Sequence, residues 1–509
     1  MIMQKTLLTK SRYVTGLSCK KALWLMFNKP ESLPEIDEAT QHRFDEGHKV
    51  GELAKSLFPK GVTIAEMIPQ ENDKKSRELL KKRVPLFEAG FLHKDGRSYA
   101  RADILVPSGK NEWNIVEVKS ATEVKDEYFE DVSFQKYCYE SAGLKIKKCF
   151  VLHINNQYVR KGEIEPKEFF VQADITEQIE NVMPLVPEKV DALFKVIQAK
   201  KCPEITKKDS CCLGTDASKR YEALHATDTF WKEHPDCDIL DLYYGGKKAV
   251  ELFKQGILSI KDMQEDHFTT RPQRKQQKIQ HKVTATGKTH QDKAELQAFM
   301  EKLTYPLCFM DFETYATTIP LYDGLKPFQA IPFQFSVHVI AKEGSKPKHY
   351  SFIAQGSDDP RNEFTEELKK ALGEKGTVLA YYQAFEKSRL KELAEFFPKY
   401  KTWVENVIER MIDLYDPFKN FAYYHLSQKG SASLKKVLPA LTGKGYEDME
   451  IGNGNEASLR YLFITHGSYS GEKATSAEIQ KVRDDLEKYC GQDTEGMIWI
   501  LDKLKELIK

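Results

Sequence analysis

The stretch YPLCFMDFETYATTIP, residues 305–320, sets two acids inside an otherwise apolar run. Leu307, Cys308, Phe309 and Met310 have the make-up of a buried strand, and Asp311 and Glu313 interrupt it. Side chains of a strand alternate between its faces, so residues i and i+2 share one. The two carboxylates therefore point the same way, close together, and repel unless a proton or a cation lies between them. A divalent metal meets that condition, and further acids must then join from elsewhere in the chain.

At 509 residues the chain is too long for one ordinary core, so two or three domains are expected. Hydrophobic residues at 41% and charged residues at 30% suit a soluble globular protein. Acids and bases nearly cancel, at a formal net charge of +1, so any grip on nucleic acid must come from local basic patches. No apolar run approaches the roughly 20 residues that span a membrane. The opening MIMQKTLLTKSRYV lacks the apolar segment of a secretory signal. Nine scattered cysteines, an odd number, argue for a reducing compartment and against a disulfide framework. The cytoplasm is the expected setting.

Three stretches follow from the patterning. Residues 1–225 mix helix and strand. HRFDEGHKVGELAKSLFP (42–59) has a helical period and a proline stop, WNIVEVKS and KCFVLHI read as strands, and DITEQIENVMPLVPEKVDALFKVIQ reads as helices broken at Pro184 and Pro187. Residues 226–300 are polar and helical. Arg271, Arg274, Lys275, Lys278 and Lys282 recur there every three or four residues, which suits either a phosphate backbone or a solvated linker helix. Residues 301–509 open with strands (LCFMDFET, FQFSVHVI) and close with helices (SAEIQKVRDDLEKYC, EGMIWILDKLKELI).

The first stretch carries its own acid cluster. Asp103 lies in YARADILV, and NIVEVKS then places Glu117 and Lys119 on one strand face. DVSFQKYCYES adds Gln135 and Tyr139, four apart on one side of a helix. Together they make sense as a metal-dependent phosphodiesterase centre: Asp103 and Glu117 as metal ligands, Lys119 orienting water or steadying phosphorane charge, and His48 completing the shell.

The arrangement EGHKVGELAKSLFPKG … RADILV … VEVKS … QKYCY resembles the PD-(D/E)xK nucleases of the RecB and CRISPR-associated Cas-four type across most of residues 10–200. That resemblance implies His48, Asp103, Glu117 and Lys119 as the active site, supported by Gln135 and Tyr139. Relatives of this type often hold an iron–sulfur cluster on four cysteines. Cys19 matches the first, but Ala217, Ala223 and Phe230 stand where the others would be, and Cys202, Cys211, Cys212 and Cys237 sit at other spacings. No cluster is expected.

In the third stretch GTVLAYYQAFEKSRLKELAEFFP reads as a strand and a helix with Glu386 at the junction, and DDLEKYCGQDTEGMIWI sets Tyr489 and Asp493 one helical turn apart. This order resembles the DEDD exonucleases of the RNase H-like fold, in the subgroup where a tyrosine positions the water. Glu386 replaces the usual aspartate. The same segments, with AIPFQFSVHVI and QKGSASLKKVLPAL, resemble the C-terminal part of an uncharacterised bacterial family that fuses these two nuclease domains. Asp413 reads as structural, and GSASLKK (430–436) as a helix start whose amides and Lys435 face either a cap or a phosphate.

The expectation is an α/β multidomain chain: a restriction-endonuclease-like PD-(D/E)xK domain over 1–225, a helical basic linker over 226–300, and an RNase H-like DEDD exonuclease domain over 301–509. Mg²⁺ or Mn²⁺ would be held as a pair by Asp311, Glu313, Glu386 and Asp493, and as one or two ions by the first domain. The expected partner is DNA, single strands favoured, trimmed from the 3′ end, in repair or in defence against foreign DNA. The alternatives are an RNA-processing exonuclease and a nucleic-acid-binding scaffold with one or both centres inactive.

Overall fold

The computed structural model describes residues 7–204, 224, 228–447, 449–468 and 471–509. They form two compact units, Met1–Glu233 with Thr317–Phe328, and His234–Ala316 with Gln329–Lys509. Each is a mixed α/β body. Among the described residues no helix is long and apolar enough to cross a membrane.

In the first unit β1 (Leu8–Thr9) leads into α1 (Lys10–Ser18), and α2 (Glu38–Lys55) precedes β2 (Val62–Thr63). β3 (Leu86–Leu92), β4 (Ser98–Ser108) and β5 (Glu112–Lys119) form an antiparallel meander. Helix α3 (Asp126–Ser141) then crosses to β6 (Lys145–Ile154), which lies parallel to β5, and β7 (Phe170–Asp174) closes that edge. The sheet order is β2-β3-β4-β5-β6-β7, with β1 against β4. Alternation along β5 decides where its polar residues go. Trp113 and Ile115 enter the core shared with Tyr13 of α1 and Val132 and Phe134 of α3, whereas Val116 joins Val50 and Ala54 of α2 on the other face. Glu117 and Lys119 have the parity of Trp113 and turn toward α3. Downstream, Pro184 lies at the break between helices Thr176–Val182 and Val186–Ile197. Pro187 breaks nothing: it sits in the first turn of the second helix, where its missing N–H has no intrahelical partner to lose.

The second unit begins at His234, so most of the 226–300 stretch is integrated into it rather than standing as a linker. Helix α4 (Arg274–Thr286) explains why. Its outer face is basic, but its inner face buries Gln277, Gln280 and Val283, the last against Tyr243, Phe421 and Tyr424. A short ribbon of β8 (His290–Gln291) and a strand near residue 423 follows the same packing. The main strands are β9 (Leu307–Tyr315), β10 (Ile331–Ile340), β11 (Lys348–Ile353), β12 (Thr377–Ala380) and β13 (Met411–Asp413). Their order is β11-β10-β9-β12-β13, antiparallel through β9 and parallel from β9 to β13. Helix α5 (Ala384–Phe396) follows β12, and α6 (Leu434–Thr442), α7 (Gly454–His466) and α8 (Ser476–Ile508) complete the unit.

Alternation along β9 again sorts the two faces. Cys308, Met310 and Phe312 pack with Leu368, Val378 and Leu390. Leu307 and Phe309 pack with Leu438 of α6 and with Met497, Ile500 and Leu501 of α8. Asp311 and Glu313 continue the second face. The two closing helices expected from the sequence are one helix of 33 residues, started by a Thr475–Glu478 capping box. Glycines make the sequence look interrupted there, yet Gly496 packs tightly against α6: a Cβ would stand 2.9 Å from Leu438 Cδ2.

Phe309 is fully buried between β9 and the helical layer. Phe309→Ala is expected to remove ~3–5 kcal/mol from the second unit, seen as a lower urea midpoint for its unfolding by circular dichroism.

Candidate metal centres

In the second unit β9 delivers Asp311 opposite Ser336 and Glu313 opposite Gln334. Helix α8 covers the same face, and between buried Leu486 and Met497 it turns Tyr489, Cys490 and Asp493 inward. One ligand atom each of Asp311, Glu313 and Cys490 lie within 4.8 Å of one another, the one such group of three among the described residues. Glu386, 3% exposed in the first turn of α5, adds a third backbone origin, and its Oε2 is buried without a hydrogen-bond partner. Asp413 sets that turn. Its carboxylate accepts the N–H groups of Tyr382 (2.8 Å), Gln383 (3.1 Å) and Tyr415 (3.1 Å). Asp413 is therefore a clamp on the β12–α5 connection that carries Glu386.

The rim supplies the balancing groups. Tyr446 donates its hydroxyl to Asp493 Oδ1. Lys435 Nζ stands 5.2 Å from the ring centre of Tyr489 and 5.5 Å from that of Tyr446, and donates to the carbonyl of Gly452. Gly454 opens α7 beside Glu313, where a Cβ would stand 3.2 Å from Oε2.

Burial dominates the electrostatics, with mutual repulsion added at Asp311 and Glu313. Burial and then the charge of Asp493 push Glu313 up to about 8. Burial pushes Glu386 to about 8. Asp493 rises to about 6 through burial, with the Tyr446 hydroxyl and the Lys435 ammonium pulling the other way. Asp311 stands well above the usual carboxylate range through burial and the charges of Asp493, Glu313 and Glu386. Burial and Asp311 also push the Cys490 thiol up, and its Sγ lies 3.7 Å from Asp311 Oδ2. The available donors are carboxylate oxygens, which suit hard divalent cations such as Mg²⁺ or Mn²⁺. The orphaned Glu386 oxygen fits that use.

The first unit gathers its acids differently. Asp103 sits where the β3–β4 pairing skips a step, opposite Glu88 at a left-handed φ of 60°, and its Oδ2 accepts the N–H of Val118 at 2.7 Å. Glu117, 1% exposed, accepts from Lys10 (2.7 Å), Lys119 (2.8 Å) and Gln135 (2.7 Å). Asp131, one turn before Gln135, bonds Lys119 at 2.5 Å and Gln135 at 3.1 Å. Burial alone would raise Glu117, but the ammonium groups of Lys10 and Lys119 overrule it and hold the carboxyl far below its ordinary value. Asp103 goes the other way, to about 7, through burial and the charge of Glu117. For Lys119 burial is opposed by Glu117 and Asp131, which win and raise it.

Of the residues singled out in the sequence, Asp311, Glu313, Glu386, Tyr489 and Asp493 converge in one centre, and Asp103, Glu117, Lys119 and Gln135 in the other. Tyr139 is fully buried on α3, and its hydroxyl donates to Ala89 O and accepts from Ala102 N at 2.7 Å, pinning β3 to β4 beside Asp103. His48 is an exposed residue of α2, unlike the buried acids. Arg274 and Lys278 pair with Glu265 at 2.6 and 2.7 Å, Lys275 pairs with Glu295 at 3.4 Å, and Arg271 is exposed. Lys435 is half-buried at the rim of the acidic centre. Cys19 is buried and caps helix Lys20–Asn28, accepting from Ala22 N at 3.3 Å. Cys211, Cys212, Ala217 and Ala223 lie outside the described residues. Sequence reasoning missed Lys10, Asp131, Tyr446 and Cys490. Asp131 alone had a local signal, four residues before Gln135 on one helix face.

Residues 308–433 match the model of a domain of unknown function, DUF2779. That span holds Asp311, Glu313, Glu386 and Asp413 but neither Tyr489 nor Asp493. The chain is 29% identical over 233 residues to an uncharacterized protein of Ureaplasma parvum, covering 41% of this chain and 32% of that one. An uncharacterized protein of Mycoplasma pneumoniae is 24% identical over 234 residues, covering 42% and 34%. A third, of Mycoplasma genitalium, is 26% identical over 231 residues, covering 41% and 33%. The chain spans about a third of the length of these curated relatives.

Glu313 and Glu386 bind their protons more tightly folded than unfolded, so the metal-free protein is expected to lose stability as pH rises from about 4 to about 8. Calorimetry should show the melting temperature falling across that window. Mn²⁺ should restore it most at pH 8, and Glu386→Gln should flatten both the pH slope and the Mn²⁺ response.

Proposed function

We propose that the chain is a metal-dependent nuclease with two phosphodiesterase centres, the second a 3′→5′ exonuclease acting on single-stranded DNA in repair or defence. The observation that carries the reading is the convergence of Asp311, Glu313, Glu386 and Asp493 from β9, α5 and α8, with raised pKa values and one orphaned oxygen. Support for an RNase H-like fold comes from three antiparallel strands continued by two parallel ones. Support for a PD-(D/E)xK fold comes from the antiparallel meander followed by a helix and a parallel strand, with Asp103, Glu117 and Lys119 at its centre.

The four carboxylates of the second unit are the residues that would hold Mg²⁺ or Mn²⁺. A bound pair supplies charge stabilisation to the attacking and leaving oxygens of an in-line displacement. The chain's own groups then position and balance. Asp413 fixes the turn that presents Glu386, and Tyr446 orients Asp493 by its hydrogen bond. Burial and Asp493 hold the Tyr489 hydroxyl protonated, so it acts as a hydrogen-bond donor or orienting group. Lys435 offers the nearby positive charge that a phosphate needs.

In the first unit Asp103 and Glu117 are the corresponding donors. Lys119 stays an ammonium, so it contributes charge to a developing phosphorane and not proton abstraction. A second reading has its own observation. Lys10 and Lys119 already neutralise Glu117, which favours a first unit that binds nucleic acid without cutting it.

The test is digestion of 3′- and 5′-labelled single-stranded DNA and RNA with Mn²⁺, comparing wild type, Lys119→Ala and Asp311→Ala. Two working centres are expected to lose different product patterns. Loss only with Asp311→Ala assigns a binding role to the first unit, RNA as the preferred substrate favours an RNA-processing enzyme, and no cleavage by wild type leaves the scaffold reading.

A further inference from the structure

A cleft of about 630 Å³ opens onto Asp311 and Asp493 in the second unit. Five tyrosines line it: Tyr243, Tyr244, Tyr381, Tyr382 and Tyr415. Two of them are held out into solvent, Tyr244 at 68% exposure and Tyr382 at 56%. Both also sit in the left-handed backbone region, at φ of 49° and 70°. A bulky side chain in that region strains the backbone, and such strain persists only where its surroundings impose it.

Those surroundings are specific. Asp413 accepts the Tyr382 N–H. Gln280 accepts the Tyr243 N–H at 2.8 Å while Gln277 donates to the Tyr243 carbonyl at 2.9 Å, and both glutamines are buried on α4. Tyr415 supports the Tyr382 ring edge-on at 5.6 Å. Tyr381 donates to Ala432 O at 2.6 Å, tying the tyrosines to the loop that opens α6 across the cleft. That loop depends on Gly430, at φ of 69°, where a Cβ would stand 1.9 Å from Asp241 O. Lys435 lines the cleft together with Asp311 and Asp493.

We propose that this cleft is an aromatic seat for unstacked bases at the end of a single strand, with Tyr244 and Tyr382 as the stacking faces. The seat rests on the nuclease reading and deepens it. Every base has a π-face, so tyrosines recognise a strand end without reading its sequence. The acids at the floor of the cleft then meet the backbone just inside the seated bases, and Lys435 meets its phosphate. The residues that build the seat come from 243–244 and 381–382, one pair outside the sheet and one at the end of β12. Extended duplex offers no such faces, so the seat selects single strands.

The full-length protein in Ca²⁺, which avoids turnover, would be titrated into fluorescent oligothymidylate bearing intact or abasic 3′-terminal nucleotides. Wild type is expected to prefer the intact end by about tenfold, within the range for stacking on an aromatic side chain. Tyr382→Ala should erase that preference and Tyr382→Phe should keep it. Tyr382→Gly should erase it too while melting no lower than wild type, because glycine relieves the left-handed strain. Equal binding of both ends, or a preference that survives in Tyr382→Ala and Tyr382→Gly, overturns the seat but leaves Asp311-dependent cleavage standing. Failure of wild type to bind or cut either DNA or RNA overturns the seat and the nuclease reading together.

Discussion

Burial of four carboxylates in one centre is the constraint around which the second unit is organised. Asp311 and Glu313 are forced onto one face by strand alternation, and that face is otherwise apolar and covered by α8. Glu386 and Asp493 arrive from helices with independent supports, so the acids cannot relax apart without disturbing core contacts. Asp413 accepts three N–H groups to hold one approach, and Tyr446 holds another. The centre is thus kept in a state of high proton affinity by the packing beneath it.

The first unit meets the same difficulty with internal cations. Glu117 has two ammonium groups and an amide on its oxygens, whereas the acids of the second unit have one lysine at their rim. The consequence appears in opposite titrations, Glu117 held low and Glu313 pushed high. Two centres that would handle the same phosphodiester chemistry therefore differ in how much of their charge balance is built into the chain. Strained Tyr382 beside the second centre belongs to the same organisation, since Asp413 holds both its N–H and that of Gln383, which leads into the turn carrying Glu386.

Local spacing made much of this legible in the sequence. The i, i+2 acids of β9, Glu117 with Lys119, and Tyr489 with Asp493 all express strand or helix periodicity, and each lies where that periodicity puts it. Glu386 was visible because a strand-to-helix junction presents an acid at a helix start. What stayed hidden depends on long-range closure. Lys10 meets Glu117 across 107 residues and Tyr446 meets Asp493 across 47, distances over which no sequence pattern persists. His48 was read as a ligand from its neighbours in the chain, but burial on α2 falls to Glu46, Val50 and Ala54. The basic run of 271–282 showed its charges plainly and concealed the buried glutamines that fasten α4 to the unit.

Helix α8 performs two tasks along one axis. Met497, Ile500, Leu501 and Leu504 bury its C-terminal half, and Tyr489, Cys490 and Asp493 serve the acidic centre from the preceding turns. Both sets keep their phase because the helix is uninterrupted. Deleting or inserting one residue between Asp493 and Met497 would turn one half against the other by about 100°. A change in the length of that segment therefore cannot be absorbed locally, and Gly496 and fully buried Thr494 within it are constrained as well. The spacing of α8 thus serves as a ruler between the core and the carboxylates.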